Sequence, residues 1–383
     1  MKTLVKALYG RLLVLALLLA VASTQSAGQE NAIDVPPLPA GIGDEPGHSA
    51  EYVVDLLDEA ERLITRAAIP LAVGDTYIDR DNTVYEVVAV EQGRVRVESR
   101  GKAEMPDVSG ESPKAGLGAF LVNLFRRGTL QADQGQNEGI IGIYHTHSAE
   151  SYEPTSGQAF EEERGDVYEV GMALKEALEA EGYRVVLSER QHLPHDAGAY
   201  QRSRRTAAEL SRENPVTLID VHRDAVPDPD HYRVNVGGEQ MTGVRIVVGK
   251  QNQNRDANLE YAKRIKAIAD EKFPGLIIGI FHAKGNYNQD LGPRMILLEF
   301  GTHTTTLEEA KRSTALMAQV IPAAAGMAPG TKKAADRQIG GAASGTVWWI
   351  LGILTVGGAV WYWINREGIG LGRRVGGDDG EQG

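Results

Sequence analysis

The sequence predicts an α/β protein: a mostly parallel sheet with helices on both faces, preceded by a small N-terminal β-rich module and followed by a C-terminal transmembrane helix. Three observations carry this expectation. Between residues 138 and 328, short β-branched apolar runs alternate with helix-period segments, as a parallel sheet with helical crossovers requires. From Tyr77 to Ser99, apolar and polar residues alternate with the period of a strand. Val347 to Ile364 is a run of 18 residues without a charge.

In chain order, residues 1–27 carry Lys2, Lys6 and Arg11 ahead of the apolar run Leu12 to Ala22, the pattern of an export signal that is either cleaved or kept as an anchor. Residues 28–50 hold Pro36-Pro37-Leu38-Pro39 and read as a linker. In the accessory module, 51–110, Val53, Leu56, Leu57, Ala60 and Ile64 have helical spacing, which predicts a helix from Glu51 to Ala68. Strands follow around Val84 to Val88 and Arg94 to Glu98, punctuated by Asp81-Asn82 and Gln92-Gly93. A second linker is expected over 111–137.

The main domain, 138–328, then reads as strand 139–144, helix 166–181, strand 184–187, helix 198–212, strand 216–221, strand 243–248, helix 254–272, strand 276–281, strand 295–300 and a helix beginning near Thr306. After a linker at 329–346, the run 347–364 reaches ~27 Å at 1.5 Å per residue, close to the thickness of a bilayer core. All 4 Trp lie in it, two at each end, as interfacial belts would place them. Residues 365–383 form a short tail. The expectation is an exported body anchored to the membrane, with the main domain on the outer side.

With 40 Lys+Arg against 52 Asp+Glu, the net charge of −12 argues against nucleic acid as a partner. The chain has no cysteine, which excludes disulfides, thiolate metal sites and Cys nucleophiles. There is no Gly-x-Ser-x-Gly elbow, phosphate loop, dinucleotide Gly-x-Gly-x-x-Gly or His-Glu-x-x-His helix.

The chemistry gathers at three predicted strand ends: Tyr144-His145-Thr146-His147 with Glu150, Asp220-Val221-His222-Arg223-Asp224, and Leu298-Glu299-Phe300. Parallel strands collect such ends on one edge, and a buried strand ending in His or Glu needs a polar surrounding. Zinc accepts imidazole and carboxylate and in catalytic sites takes three protein ligands. His147 and Glu150 can supply two from one turn and His222 the third, leaving Glu299 to take the proton of an attacking water. Taken singly, each feature has a plainer reading. A His-x-His pair can be hydrogen-bonded structure, His222-Arg223-Asp224 a salt-bridge cluster, and Glu299 a cap or a partner of Arg294. The remaining His residues, His192, His195, His231, His282 and His303, lie in polar stretches, and most read as solvated.

Beyond spacing, the chain resembles the stage II sporulation protein P family. The resemblance rests on the His145 and His147 motif with Glu150-Ser151-Tyr152, and on His195-Asp196 before Tyr200-Gln201-Arg202-Ser203. It continues through Asn214-Pro215 before Asp220 to Asp224, Phe273-Pro274-Gly275-Leu276, Tyr287-Asn288-Gln289-Asp290-Leu291, and Leu298-Glu299-Phe300-Gly301 before Glu308-Glu309-Ala310. It covers roughly residues 138 to 325.

The resemblance implies an amidase-like core and a membrane-anchored, zinc-dependent N-acetylmuramoyl-L-alanine amidase. Its substrate would be peptidoglycan, cut during engulfment in sporulation, with the lytic transglycosylase stage II sporulation protein D as a partner. It implies His147 and His222 as zinc ligands, with His145 a rival to His147, and Glu299 as the catalytic carboxylate. The carboxylate ligand is Glu150 or, by analogy with the wider amidase family, one of Glu161 to Glu163. Arg202 and Arg223 would bind stem-peptide carboxylates, and Asp220 or Asp224 would orient His222 or Arg223. One departure is Thr302-His303-Thr304-Thr305-Thr306 where the family tends to show Asn. The alternatives are a zinc peptidase acting on the stem peptide and a non-catalytic, membrane-anchored wall-binding scaffold.

Overall fold

The computed structural model describes residues 53–91, 93–109 and 139–327. The expected leader at 1–27, the linkers at 28–50, 111–137 and 329–346, the run at 347–364 and the tail at 365–383 lie outside them. Among the described residues, no helix is long and apolar enough to cross a membrane.

The strands are β1 (Val54–Leu57), β2 (Leu63–Ala67), β3 (Thr76–Ile78), β4 (Thr83–Glu91), β5 (Arg94–Lys102), β6 (Ile140–Tyr144), β7 (Arg184–Leu187), β8 (Thr217–Asp224), β9 (Arg233–Val236), β10 (Glu239–Thr242), β11 (Val244–Gly249), β12 (Ile277–Ala283) and β13 (Met295–Thr302). The α-helices are α1 (Glu153–Ser156), α2 (Val167–Ala180), α3 (Ala199–Arg212), α4 (Arg255–Lys272) and α5 (Leu307–Ala324). Eleven strands form one sheet in the order β2-β1-β5-β4-β3-β12-β11-β13-β8-β6-β7, and β9 and β10 form a separate hairpin.

In the main domain, β7, β6, β8 and β13 are mutually parallel, and β11 with β12 forms a second parallel pair running the other way. The predicted strands and helices of 139–327 recur within one or two residues of their expected bounds, except that β8 runs on to Asp224. The β9–β10 hairpin, absent from the sequence expectation, precedes the reversal. Its two-residue loop is Gly237-Gly238 at φ 64° and 91°, the left-handed backbone such a turn needs.

Burial explains the patterns. β6, β8 and β13 are buried along their whole length, as strands covered on both faces must be. Val167, Val170, Leu174 and Leu178 of α2 recur at helical spacing and share one apolar cluster with residues of α4 and α5 and with the strand residues Ile141, Ile143, Ile219 and Val221. On the opposite face, α3 sets Ala207 and Leu210 against Tyr144 and Leu218. Each such fully buried side chain contributes about 1.5–3 kcal/mol. The start of α5 is fixed by a capping box: Thr306 Oγ1 accepts from Glu309 N at 3.1 Å, and Thr306 N donates to Glu309 Oε2 at 2.9 Å.

The helix expected from Glu51 to Ala68 is corrected: its described residues form the antiparallel strands β1 and β2. Asp58 is the reason. Its Oδ1 accepts from the backbone N of Ala60 and of Arg62, both at 2.9 Å, closing a turn that a helix could not accommodate. The module is joined to the main sheet, because β3 pairs antiparallel with β12 and Tyr77 donates to the Ile278 carbonyl at 2.8 Å. Leu56, Ala67, Ile69, Val87 and Val95 share one apolar cluster with Val247, Phe281 and Leu297.

Candidate metal centre

Because β6, β8 and β13 are parallel neighbours, their carboxyl ends share one edge of the sheet. The chain leaving β6 turns at once: Glu150 N donates to the His147 carbonyl at 3.2 Å. Glu150 then forms a bridge with Phe160, and Val167 N donates to its carbonyl at 3.0 Å. That double tie holds the Glu150 side chain against the end of β8.

There, His147 Nδ1 lies 3.2 Å from Glu150 Oε1, and His222 Nδ1 lies 3.5 Å from Glu150 Oε2. The two imidazoles are 5.0 Å apart, edge to face. One ligand atom from each of His147, Glu150 and His222 falls within 4.8 Å of the others, and all three side chains are buried. Two imidazoles and a carboxylate, with no thiol, form a donor set that fits zinc. The other nitrogen of His222, Nε2, is 2.9 Å from Asp220 Oδ1. Asp220 is fixed in turn by Thr146, whose N and Oγ1 donate to its carboxylate at 2.8 and 2.6 Å. A carboxylate behind a ligating histidine orients the ring and sets its tautomer.

Glu299 on β13 is the register partner of His222 on β8, so its side chain leaves the same face beside the cluster. It too is buried.

The charges balance within this pocket. Burial holds His147 neutral, well below its usual range. Burial opposes charge on Glu150 as well, but His222, the hydrogen bonds from His147 and His222, and Arg223 together hold its carboxyl well below the ordinary range. For His222, burial is outweighed by Asp220 and Glu150, which raise it well above its usual value. A cation is thus favoured where these groups meet.

His145, the rival to His147, is turned away. Its Nδ1 is 3.1 Å from the Val221 carbonyl, its ring packs on Tyr168 and against Gly171, and burial lowers it to about 4. Glu161 is half-buried and Glu162 and Glu163 are exposed, so of the carboxylates considered Glu150 is the one in the cluster. The two arginines expected at substrate are engaged by the protein. Arg223 is fully buried; it donates to the carbonyls of Ser151 at 3.1 Å and Ala159 at 2.7 Å and lies over the Phe160 ring. Arg202 donates to the carbonyls of His192 at 2.9 Å and Pro194 at 2.5 Å and pairs with Asp196, fastening the loop before α3. The Asp224 carboxylate binds Arg245 and Tyr232, and only its backbone carbonyl meets the Arg223 side chain, accepting from Nη1 at 3.5 Å.

Residues 78–322 match the family described as Stage II sporulation protein P. The chain belongs to the stage II sporulation protein P family. Stage II sporulation protein P of Bacillus subtilis (strain 168) is 31% identical over 202 residues, covering 48% of this chain. The chain matches 50% of that relative, about half its length. Among solved structures, it is similar to an N-acetylmuramoyl-L-alanine amidase of Nostoc punctiforme, at 14% identity and a TM-score of 0.33, over 50% of this chain and 97% of that one. It is also similar to the N-acetylmuramyl-L-alanine amidase of Mycobacterium smegmatis, at 13% identity and a TM-score of 0.35, over 49% and 97% of the two chains.

In this member of the stage II sporulation protein P family, His195 also belongs to the site, although its polar sequence surroundings suggested a solvated residue. Its ring lies 4.4 Å from that of His147 and 4.6 Å from that of Phe160, and it is only half-buried. The motif His195-Asp196 carried a signal; the solvated reading missed it because loop closure through Arg202 is not visible in local polarity. On the Glu299 side, Ala68 and Ile69 line a narrow crevice with Asp224, Arg245 and Phe281. Among the described residues, the side chains of His147, Glu150, His222 and Glu299 are 0–1% exposed.

Proposed function

We propose that the protein is a zinc-dependent peptidoglycan hydrolase that cleaves the amide bond between N-acetylmuramic acid and L-alanine during sporulation. The observation that carries this reading is the buried His147, Glu150 and His222 cluster beside Glu299, in a chain of the stage II sporulation protein P family. His147, Glu150 and His222 would hold the metal, and Asp220 would keep His222 oriented through Nε2. Bound there, zinc supplies Lewis acidity toward a carbonyl oxygen and toward water.

Glu299 then acts as the proton carrier. Its carboxylate accepts the proton of the water that attacks the lactyl carbonyl and returns it to the departing amine of L-alanine. The buried walls around it keep bulk water from competing, which strengthens each polar contact in the site. Placement of the enzyme outside the membrane, anchored through residues 347–364, and joint action with the transglycosylase stage II sporulation protein D complete the proposal.

Digestion of purified peptidoglycan followed by mass spectrometry of the products tests the bond assignment. The expected products are glycan strands free of peptide together with intact stem peptides that begin with L-alanine. Stem peptides cut internally, still attached to glycan, would instead make the protein a peptidase.

A further inference from the structure

The row of paired residues that crosses the sheet at the site does not stop at Glu299. Arg245 on β11 is the antiparallel register partner of Glu299, and Glu299 is the partner of His222 on β8. Directly paired residues leave the sheet on one face with Cβ atoms about 4.5–5.5 Å apart. A cation, a carboxylate and an imidazole therefore stand side by side, and Arg245 and Glu299 line the same crevice.

Arg245 is buried with its side chain 1% exposed, and both terminal nitrogens of its guanidinium are engaged, while Nε has no hydrogen-bond partner among the described residues. Nη1 donates to Asp224 Oδ2 at 2.6 Å, and that carboxylate also accepts from Tyr232 OH at 2.6 Å. Nη2 donates to Thr65 Oγ1 at 3.0 Å and lies 2.8 Å from His231 Nε2. Burial, with Arg245 itself, lowers His231 to about 3, so its nitrogen is an acceptor at neutral pH. The rings of Tyr232 and Phe281 each lie 5.1 Å from the guanidinium carbon. A buried salt bridge is weak evidence for stability, since its desolvation offsets its attraction. An expensive cation fixed this firmly beside the one carboxylate assigned to proton transfer points to a role at the site.

We infer that Arg245 is a positioning residue for Glu299: caged by Asp224, Thr65 and His231, it holds the Glu299 carboxylate in place at the His222 end of the row. This rests on the reading of Glu299 as the proton carrier. It also gives β2 a part in the site, because Thr65 lies ahead of the residues 78–322 that match the family.

The test uses the full chain with Arg245→Lys, which keeps the charge and loses the planar fork, and Thr65→Val, which removes one wall of the cage. Folding is checked by urea denaturation and zinc affinity by competition with a chromophoric chelator. The expected result is a kcat on peptidoglycan lowered about 10²-fold in Arg245→Lys, the scale of a misplaced catalytic group, and several-fold in Thr65→Val. KM and zinc affinity stay at wild-type values. A second readout does not depend on activity: in protein carrying ¹³C-carboxyl-labelled glutamate, the Glu299 signal, assigned through Glu299→Gln, shifts in both variants. Unchanged kcat, or an unshifted Glu299 signal, in the folded Thr65→Val or Arg245→Lys protein overturns the inference. If wild type fails to cut peptidoglycan at all, the amidase reading falls, and the carboxyl signal alone decides the positioning role.

Discussion

Glu299 and His222 are register partners on the adjacent parallel strands β13 and β8. The sheet therefore fixes the distance between the proposed proton carrier and a proposed metal ligand, and no loop intervenes. A one-residue slip of β13 would carry Glu299 to the other face, away from His222 and Glu150. The arrangement is as rigid as the core itself.

Replacing Glu299 with Gln keeps the shape and removes the acceptor of the proton. The expected outcome is a kcat lower by about 10²–10⁴-fold, the usual contribution of a general base, with zinc affinity unchanged. Steady-state release of L-alanine amines, run beside a zinc titration, measures both quantities.

Asp220→Asn loosens the ring of His222 without touching a ligand, since the 2.9 Å contact is made through Nε2. Zinc affinity should fall about 10–100-fold, and activity should recover when excess zinc is supplied. Activity that stays low at saturating zinc would place Asp220 in the chemistry instead.

Arg223→Met tests the structural role of a residue that the sequence suggested for substrate binding. Removing the guanidinium leaves the buried Ser151 carbonyl without its donor, at about 1–3 kcal/mol, while the half-buried Ala159 carbonyl still accepts from Ser151 N at 2.8 Å. Loss of stability by about 1–3 kcal/mol in urea denaturation is expected. A fully stable variant with a raised KM would return Arg223 to the substrate.

The legibility of the molecule from sequence divides along physical lines. Strands β6, β8 and β13 were readable because central strands are apolar on both faces, and their ionisable ends stood out against that background. His147, Glu150, His222 and Glu299 were singled out that way, and the fold brings His147, Glu150 and His222 together. The partners of the arginines were not legible because a sequence shows a charge and not its acceptors: the carbonyls that engage Arg223 come from residues 64 and 72 positions away. The module's first helix was misread because Leu56 and Ala60 fit a 3.6-residue period, while the Asp58 turn and the pairing of β1 with β5 decide the outcome through tertiary structure. His195 escaped for a similar reason, since its contact with His147 spans a loop closed by Arg202.

The pH dependence of stability isolates His145. Its folded value is lowered by burial from 6.5 to about 4. Between these values the unfolded chain binds a proton that the folded chain refuses, so stability is constant above about 6.5 and falls as pH drops toward 4. The share of this one group is about 3 kcal/mol when fully developed. In metal-free protein, His145→Gln should therefore show a shallower loss of stability between pH 7 and pH 4.5 than wild type, by close to one proton. Equal slopes for the two proteins would mean that His145 is charged in the fold.

Anomalous X-ray scattering at the zinc edge, from crystals of protein purified without chelator, addresses the metal centre most directly. The predicted result is a single strong peak bounded by His147, Glu150 and the Nδ1 side of His222, absent after His222→Ala. A peak elsewhere in the molecule, or none at that position in zinc-soaked wild-type crystals, would contradict it.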